Sequence, residues 1–280
     1  MITLATCAAW PELSRSDQCL ADALRVRHQP VTVAPWNRAF EPFADATAVV
    51  VRATWDFHEA PDAYVAWLAR LDPRRTFNEP SLIRWNLSKA HVLDLARRGV
   101  PVPRSLEVAA EPTAITEALR ALDLREAVIK PLIGASGFGV ERVRRGTEAA
   151  DLQRARTRKR FDRVLVQEFV TEIRDGELAG VFFDGVFSHG LWRRPAPGEF
   201  RINAQYGGTM EAAALPPGIV EEMTGVLSML PGSALYARVD GVVRDRRFVL
   251  IEVEVNEPGL GLDLAPGSAD RFAEALLRRL

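Results

Sequence analysis

The chain has 280 residues, with 36 Lys or Arg against 37 Asp or Glu and a formal net charge of −1. Apolar residues make up 48% and charged residues 26%, an ordinary globular composition that excludes global disorder. The near-neutral charge predicts no nucleic-acid partner, and no apolar run approaches the ~20 residues of a membrane span. Two cysteines make no disulfide framework, and the first residues lack a basic signal-peptide region, so we expect a cytoplasmic protein.

The first third of the chain follows a β-α-β pattern. Apolar runs predict strands at residues 2–7, 31–34 and 48–51. Ser14 and Ser16 precede one predicted helix and Pro61 begins another, because these residue types are frequent at helix N-termini. No G-x-G-x-x-G follows the first strand, which disfavours a nicotinamide dinucleotide site. The pattern predicts a small open α/β domain.

The rest of the chain mixes strands and helices less regularly. Ser88 is predicted to cap a helix that ends at Gly99. Residues 105–170 are predicted to form a strand, a helix, a strand, a glycine loop, a helix and a strand. The last predicted elements are a hairpin turn at 184–185, a helix at 217–230, strands at 234–243 and 247–255, and a helix at 270–280.

Lysine is rare in this chain, which otherwise uses arginine. The three lysines are Lys89, Lys130 and Lys159. Lys130 ends an apolar strand and precedes a loop that contains Gly134, Ser136, Gly137 and Gly139. Glycines let backbone N–H groups approach phosphate oxygens, although a hairpin with a solvated lysine fits the same residues. The motif is neither a Walker A loop nor a protein-kinase loop, since no Gly-Lys-Ser/Thr follows and the glycines come after the lysine.

Acidic side chains alternate along the predicted strand near residue 250. Glu252, Glu254 and Asn256 share one strand face, and Asp240 lies on the preceding strand. Such oxygen ligands suit Mg²⁺, while an edge strand with its acidic face in water is the alternative. The residues leave open whether Asn256 or Glu257 joins the carboxylates.

Two arginines are candidates for anion recognition. Arg201 lies in an extended segment before Gly207 and Gly208, which suits either an anion site or a surface loop. Arg238 lies two residues before Asp240 on the same predicted strand face. An arginine within an apolar strand needs an anionic partner.

The order of these motifs resembles the ATP-grasp superfamily, which includes glutathione synthetase and D-alanine–D-alanine ligase. The resemblance implies an α/β (α+β) chain: an ATP-grasp fold preceded by a small Rossmann-like domain. It implies an N-terminal domain at 1–86, a subdomain with a glycine-rich lid loop at 87–170, and a C-terminal subdomain with the metal site at 171–280.

The resemblance also implies a role for each motif. Lys89 and Lys130 would hold the ATP phosphates under the loop 134–139, and Glu177 would accept from the ribose hydroxyls. The hinge that meets adenine would be Gln167, Glu168, Phe169 and Val170. Two Mg²⁺ ions would bind Asp240, Glu252, Glu254 and Asn256. Arg201 and Arg238 would bind the transferred phosphoryl group and the oxyanion of the attacked carboxyl.

The chain departs from that pattern at two positions. Glu254 stands where many relatives have the Asn of Glu-x-Asn, and Ala179 stands where glutathione synthetases carry an arginine. The second departure argues against glutathione chemistry itself.

The segment at 51–58, together with Ile83-Arg-Trp-Asn86 and Phe187-Ser-His189, resembles a narrower subgroup that includes the D-cycloserine-forming cyclo-ligase acting on O-ureido-D-serine. After a buried strand, four polar side chains of this segment are expected to face one way, toward substrate: Arg52, Thr54, Asp56 and His58. Gly207 and Gly208 are expected to join them.

The function implied is an ATP- and Mg²⁺-dependent ligase. It would activate a small amino-acid-like carboxylate as an acyl phosphate for attack by an amine from a second molecule or from the same one. A small-molecule kinase on the same fold, or a nucleotide-binding protein without turnover, are the alternatives. We further expect a homodimer or higher homo-oligomer.

Overall fold

The structure is a computed structural model that describes residues 1–146 and 161–280. Its first sheet is parallel, with strand order β2-β1-β3-β4. The strands are β1 (Ile2–Thr6), β2 (Val31–Pro35), β3 (Ala48–Val51) and β4 (Thr76–Phe77). The helices of this region are α1 (Arg15–Val26), the single turn α2 (Glu41–Ala44) and α3 (Pro61–Arg70). Strands β1 and β3 are buried on both faces, because α1 packs on one face of the sheet and α3 on the other. This burial explains the continuous apolar sequences of the two strands, which are typical of parallel sheets.

A helical connection leads to the second sheet. It consists of α4 (Pro80–Leu87) and α5 (His91–Arg97), of which α4 was not predicted. Ser88 does not cap α5 as predicted: Ala90 occupies the cap position, and Ser88 Oγ accepts only the Ala90 N–H, at 3.3 Å. The next residue, Lys89, donates its backbone N–H to the Leu132 carbonyl at 2.7 Å, which ties the connection to the segment before the glycine loop.

The second sheet is antiparallel, with order β5-β8-β6-β7. Its elements are β5 (Ser105–Ala109), α6 (Pro112–Ala121), β6 (Glu126–Pro131), β7 (Glu141–Arg144) and β8 (Arg163–Glu168). The strand β7 was not predicted. The helix predicted between the glycine loop and β8 falls on residues 147–160, which lie outside the described residues.

The third sheet is antiparallel, with order β11-β10-β9-β12-β13. Its strands are β9 (Glu177–Phe183), β10 (Val186–Arg194), β11 (Thr209–Ala213), β12 (Tyr236–Arg244) and β13 (Arg247–Glu254). The helices α7 (Pro217–Ser228) and α8 (Ser268–Leu277) complete the chain, and Phe272 of α8 shares a core with the first sheet. The strands of each sheet come from one of the three predicted domain ranges, 1–86, 87–170 and 171–280. The boundaries of these domains stay a prediction. No helix in the described ranges combines the length and apolarity needed to cross a membrane.

Candidate active site

A cavity of about 780 Å³ is lined by strands of the second and third sheets, and by loops that include those after β1 and β3 of the first sheet. All the residues predicted for nucleotide, metal and anion binding lie in its wall, except Gly139. Of the residues predicted to meet substrate, only Gly208 lies there. The sequence therefore predicted many of the residues that line the cavity, whereas most of the residues predicted to meet substrate lie outside its wall.

Lys89 and Lys130 line the cavity beside an acid and an amide. Lys89 Nζ donates to Glu252 Oε1 at 2.5 Å, and Lys130 Nζ donates to Gln167 Oε1 at 2.8 Å. Burial acts to raise the pKa of Glu252, but the charges of Lys89 and Lys130 outweigh it and lower this pKa to about 2. Each ammonium group has three donors and uses one of them on a described residue, so donors remain for an anionic ligand.

Asp240 and Glu254 of the third sheet are held by an arginine. Across β12 and β13, Arg238 pairs with Glu254, and Asp240 with Glu252. Arg238 Nη2 donates to Asp240 Oδ2 at 2.7 Å and to Glu254 Oε1 at 2.6 Å. Strand β13 lies at the edge of its sheet, as the alternative of a solvent-exposed acidic face required. Its carboxylates are nevertheless paired with cations and line the cavity.

Arg193 is a site residue that sequence reasoning missed. Its Nη1 donates to Glu177 Oε1 at 2.8 Å and to Asp240 Oδ2 at 2.7 Å, which joins the predicted ribose and metal residues. Burial raises the pKa of Glu177 to about 8, against the opposing charge of Arg193. Nothing in the sequence around Trp192-Arg-Arg194 marks Arg193, because its role depends on the pairing of β10 with β9.

Magnesium fits the donor chemistry of this wall. Asp240, Glu252 and Glu254 offer the hard oxygen ligands that Mg²⁺ prefers. Each is now engaged by Lys89, Arg193 or Arg238, and in the ranges 1–146 and 161–280 no three His, Cys, Asp or Glu side chains are grouped to hold a metal. A metal would therefore have to replace part of this pairing.

Asn256 is oriented differently from the predicted metal ligand. Its Oδ1 accepts from the Tyr64 hydroxyl at 2.7 Å, and its Nδ2 has no hydrogen-bond partner among the described residues. Because a metal binds the amide oxygen and not the nitrogen, this orientation does not present Asn256 as a metal ligand.

The glycine loop closes against the segment that carries Arg201. Gly137 has φ +71°, and a Cβ there would lie 2.7 Å from Asn203 Oδ1, so only glycine fits this contact. The Gln205 side-chain amide donates to the Ser136 carbonyl, and the Tyr206 hydroxyl donates to the Gly137 carbonyl at 3.3 Å. Gly139 lies against Pro131 instead of the cavity.

The predicted hinge forms an apolar part of the wall. Phe169 and Val170 line the cavity together with Val128 and Ile251. Glu168 is paired with Arg104 and Arg244, which fixes the strand end from outside. An apolar slot lined in this way suits a heteroaromatic base.

Arg201 is held by its own segment. Its Nη2 donates to Glu199 Oε2 at 2.6 Å, and its guanidinium lies 3.6 Å from the Tyr206 ring centroid. The hydrogen bond from Arg201 lowers the pKa of Glu199 to about 2. Gly208 lines the cavity, whereas Gly207, with φ +78°, provides the turn before it.

The expectation that four polar side chains of the segment 52–58 face the substrate differs from the structure. Arg52 is 1% exposed and pairs with Asp17 at 2.7 Å, Thr54 bonds to Tyr64 at 3.0 Å, and Asp56 accepts from Trp36 at 2.6 Å. His58 Nδ1 lies 3.0 Å from the Trp55 carbonyl, and its ring packs on Phe138 of the glycine loop. The aromatic residues between them, Trp55 and Phe57, line the cavity instead.

The buried Arg52–Asp17 pair gives a stability prediction. Asp17→Asn should lower the free energy of unfolding by about 3–5 kcal/mol, because it leaves the Arg52 charge buried without its carboxylate. The matched control is Asp22→Asn on the same helix, where the pair with Arg25 is exposed and worth less than about 1 kcal/mol. Urea denaturation of both variants checks this, and equal midpoints would contradict the role of the pair.

Comparisons with known proteins agree with this architecture. The family described as "Prokaryotic glutathione synthetase, ATP-grasp domain" matches residues 102–259, and "D-cycloserine synthetase DcsG, N-terminal domain" matches residues 2–78. The cycloserine biosynthesis protein DcsG of Streptomyces lavendulae is 29% identical over 93% of this chain and 92% of its own length. Glutathione synthetase of Parasynechococcus marenigrum (strain WH8102) is 30% identical over 75% of this chain and 67% of its own length.

Solved structures share the fold of this chain. The crystal structure of D-cycloserine synthetase DcsG superposes with a TM-score of 0.87 at 26% identity, covering 99% of both chains. D-alanine–D-alanine ligase from Bacillus anthracis shares the fold, with a TM-score of 0.69 at 17% identity over 99% of this chain and 95% of its own. These relatives are ligases, and none is a small-molecule kinase or a nucleotide-binding protein without turnover. The chain therefore belongs to the ATP-grasp family of the prokaryotic glutathione synthetase type, ADP-forming ligases that use ATP and Mg²⁺ to join a carboxylate to an amine.

Proposed function

We propose that this ligase activates the carboxylate of a small amino-acid-like substrate as an acyl phosphate, which an amine then converts to an amide. A carboxylate oxygen attacks the γ-phosphorus of ATP, and the bond between the β,γ-bridging oxygen and the γ-phosphorus breaks to release ADP. The amine nitrogen then attacks the acyl carbon, and inorganic phosphate and a proton leave. The observation that carries the proposal is the shared cavity wall of Lys89, Lys130, Arg201 and Arg238 beside three carboxylates.

The nucleotide would occupy the cavity between the second and third sheets. Adenine suits the slot of Val128, Phe169 and Ile251, and Glu177 suits the ribose hydroxyls. Lys89 and Lys130 supply donors for the phosphates, and the loop 134–139 covers them with its backbone N–H groups. These groups position ATP and neutralise its charge, which is the main work of phosphoryl-transfer sites.

The reacting groups would lie between the arginines and the acidic strands. Arg238 is fixed by Asp240 and by the Gly259 carbonyl, so its guanidinium is preorganised to stabilise charge on the attacked carboxyl oxygen. Arg201 suits the transferred phosphoryl group. We propose that Asp240, Glu252 and Glu254 hold two Mg²⁺ ions, whose chemistry when bound is to neutralise charge on the phosphate oxygens.

The substrate class follows from the relatives and from one departure. The match of the N-terminal region to a D-cycloserine synthetase domain supports an amino-acid substrate and leaves room for a ring closure. Ala179 is fully buried where glutathione synthetases carry an arginine, so we do not propose glutathione synthesis. The cytoplasmic location and the homo-oligomeric state stay predictions of the sequence.

A substrate screen tests the proposed function. The chain is incubated with ATP, Mg²⁺ and single or paired L- and D-amino acids, and ADP and phosphate release are both measured, with mass spectrometry of active mixtures. A ligase releases ADP and phosphate in equal amounts, together with a product that has lost one water. ADP without free phosphate would indicate a kinase, and no ADP with any amino acid would contradict the proposal.

The nucleotide role of Lys130 gives a further prediction. Lys130→Ala should weaken ATP binding by about 10- to 100-fold, since it removes a charge-assisted hydrogen bond to phosphate. The control is Arg97→Ala, which removes an exposed cation that pairs with its helix neighbour Asp94. Calorimetric titration with ATP and Mg²⁺ checks the effect, and equal affinity of both variants would rule out this role for Lys130.

A further inference from the structure

Glu257 differs from the other carboxylates of the cavity wall. Its side chain lines the cavity but forms no salt bridge among the described residues. The other carboxylates of the wall are each paired with a lysine or an arginine: Glu168, Glu177, Asp240, Glu252 and Glu254. An unpaired carboxylate beside Glu252 and Glu254 is electrostatically unfavourable, and a cationic ligand would relieve it.

The backbone that carries Glu257 is fixed at three consecutive carbonyls. The Glu257 carbonyl accepts from Trp55 Nε1 at 3.1 Å, and the Pro258 carbonyl accepts from Arg52 Nη2 at 2.6 Å. The Gly259 carbonyl accepts from Arg238 Nη1 at 2.8 Å. Two of these donors come from the N-terminal region and one from β12, so the position of the carboxylate is built by distant parts of the chain. A site held in this way is preorganised for its ligand.

Two aromatic rings line the same cavity, one of them bonded to the backbone of Glu257. Trp55, whose indole bonds to the Glu257 carbonyl, lines the cavity and meets Trp10 edge-to-face at 5.8 Å between ring centroids. Trp10 also lines the cavity although its side chain is 53% exposed. A cavity wall that holds both aromatic rings and a carboxylate is a favourable environment for an alkylammonium group.

A separate observation indicates an acceptor group on the same ligand. Asn256 is 3% exposed and lines the cavity, and its Nδ2 has no hydrogen-bond partner among the described residues. A buried amide donor without a partner is costly, so an oxygen of the ligand is expected to accept from it. The adjacent residues thus offer a donor to a carboxylate and an acceptor to an ammonium group, as an amino-acid zwitterion requires.

We propose that Glu257 binds the ammonium group of the amino-acid substrate, with Trp55 and Trp10 beside it. This proposal rests on the proposed function and adds its specificity: a substrate that carries an ammonium group near the activated carboxylate is selected over the same acid without it. Glu257 is then a specificity-determining residue and not a metal ligand.

The test compares wild type with Glu257→Gln. A panel of L- and D-amino acids, each paired with its des-amino carboxylic acid, is titrated by calorimetry in the presence of Mg²⁺ and a non-hydrolysable ATP analogue. We expect wild type to bind at least one amino acid about 10- to 100-fold more tightly than its des-amino partner, and Glu257→Gln to lose that preference. Glu257→Asp should recover part of it, while affinity for the ATP analogue stays unchanged.

Controls separate the possible causes of failure. Glu59→Gln removes the same charge from an exposed position four residues after Trp55 and should leave the preference intact. If wild type prefers no amino acid, or if Glu257→Gln keeps the preference, Glu257 does not bind the ammonium group, even where amino acids drive ADP release. If Glu257→Gln raises the Mg²⁺ requirement and keeps the preference, Glu257 is a metal ligand and the proposal is wrong. Only the absence of ADP and phosphate release with every amino acid would contradict the ligase function itself.

Discussion

Arg238→Met should bind ATP with nearly wild-type affinity and lose about 100- to 1,000-fold of its ligation rate. Arg238 is 4% exposed and donates to Asp240 in the cavity wall, where we propose that its guanidinium stabilises charge on the attacked carboxyl oxygen. An interaction made mainly in the transition state raises kcat and changes KM little. Single-turnover measurements at saturating ATP check the size of the loss.

A purely structural role for Arg238 makes a different prediction. Its guanidinium neutralises Asp240 and Glu254, so its removal leaves Glu254 without its arginine and Asp240 with Arg193 as its remaining cation. A counter-ion alone would cost stability and leave folded protein with a normal rate. Arg238→Lys should recover more of the melting temperature than of the rate, because an ammonium group cannot reproduce the planar fork. A normal single-turnover rate in folded Arg238→Met would show that Arg238 has no catalytic role.

The sequence predicted those parts of the fold that local patterns determine. The apolar runs gave β1 and β3, Ser14 does cap α1, and the Asp184-Gly185 turn joins β9 to β10 with both residues at positive φ. The helix α4 was missed because its apolar residues serve two different cores: Ile83 packs on the first sheet and Leu82 on the third. No single apolar face therefore appears along its sequence.

The same distinction applies to the cavity. Motifs that are visible in a short stretch of sequence, such as the glycine loop and the alternating acidic residues of β13, were found from the sequence alone. Arg52 was assigned to substrate because its partner, Asp17, lies 35 residues away and carries no signal of pairing. Arg193 was missed for a related reason, since its pairing depends on strand register. Glu257 was considered only as an alternative metal ligand, because the three distant donors that fix its backbone leave no signal in the sequence.

Glu252→Gln should lose about 100-fold or more of the ligation rate and should also be less stable than wild type. If only the repulsion among Asp240, Glu252 and Glu254 is considered, removing one carboxylate should stabilise the protein without ligands. The structure predicts a loss of stability instead, because Glu252 Oε1 accepts from Lys89 Nζ, and the Lys89 side chain is only 16% exposed. Without Glu252 the Lys89 charge is left largely buried, at a cost of about 1–3 kcal/mol.

The two effects of Glu252→Gln can be measured separately. Urea denaturation without nucleotide reports the loss of the Lys89 partner, and ATP should restore part of the stability because its phosphates offer Lys89 a new anion. ADP release as a function of Mg²⁺ concentration reports the loss of the proposed ligand. The control is Glu211→Gln, which removes a carboxylate that is 60% exposed and pairs with Arg194 on the neighbouring strand. Normal Mg²⁺-dependent activity in Glu252→Gln would show that the metal site lies elsewhere, whereas a lost rate without lost stability would mean that Lys89 does not depend on this carboxylate.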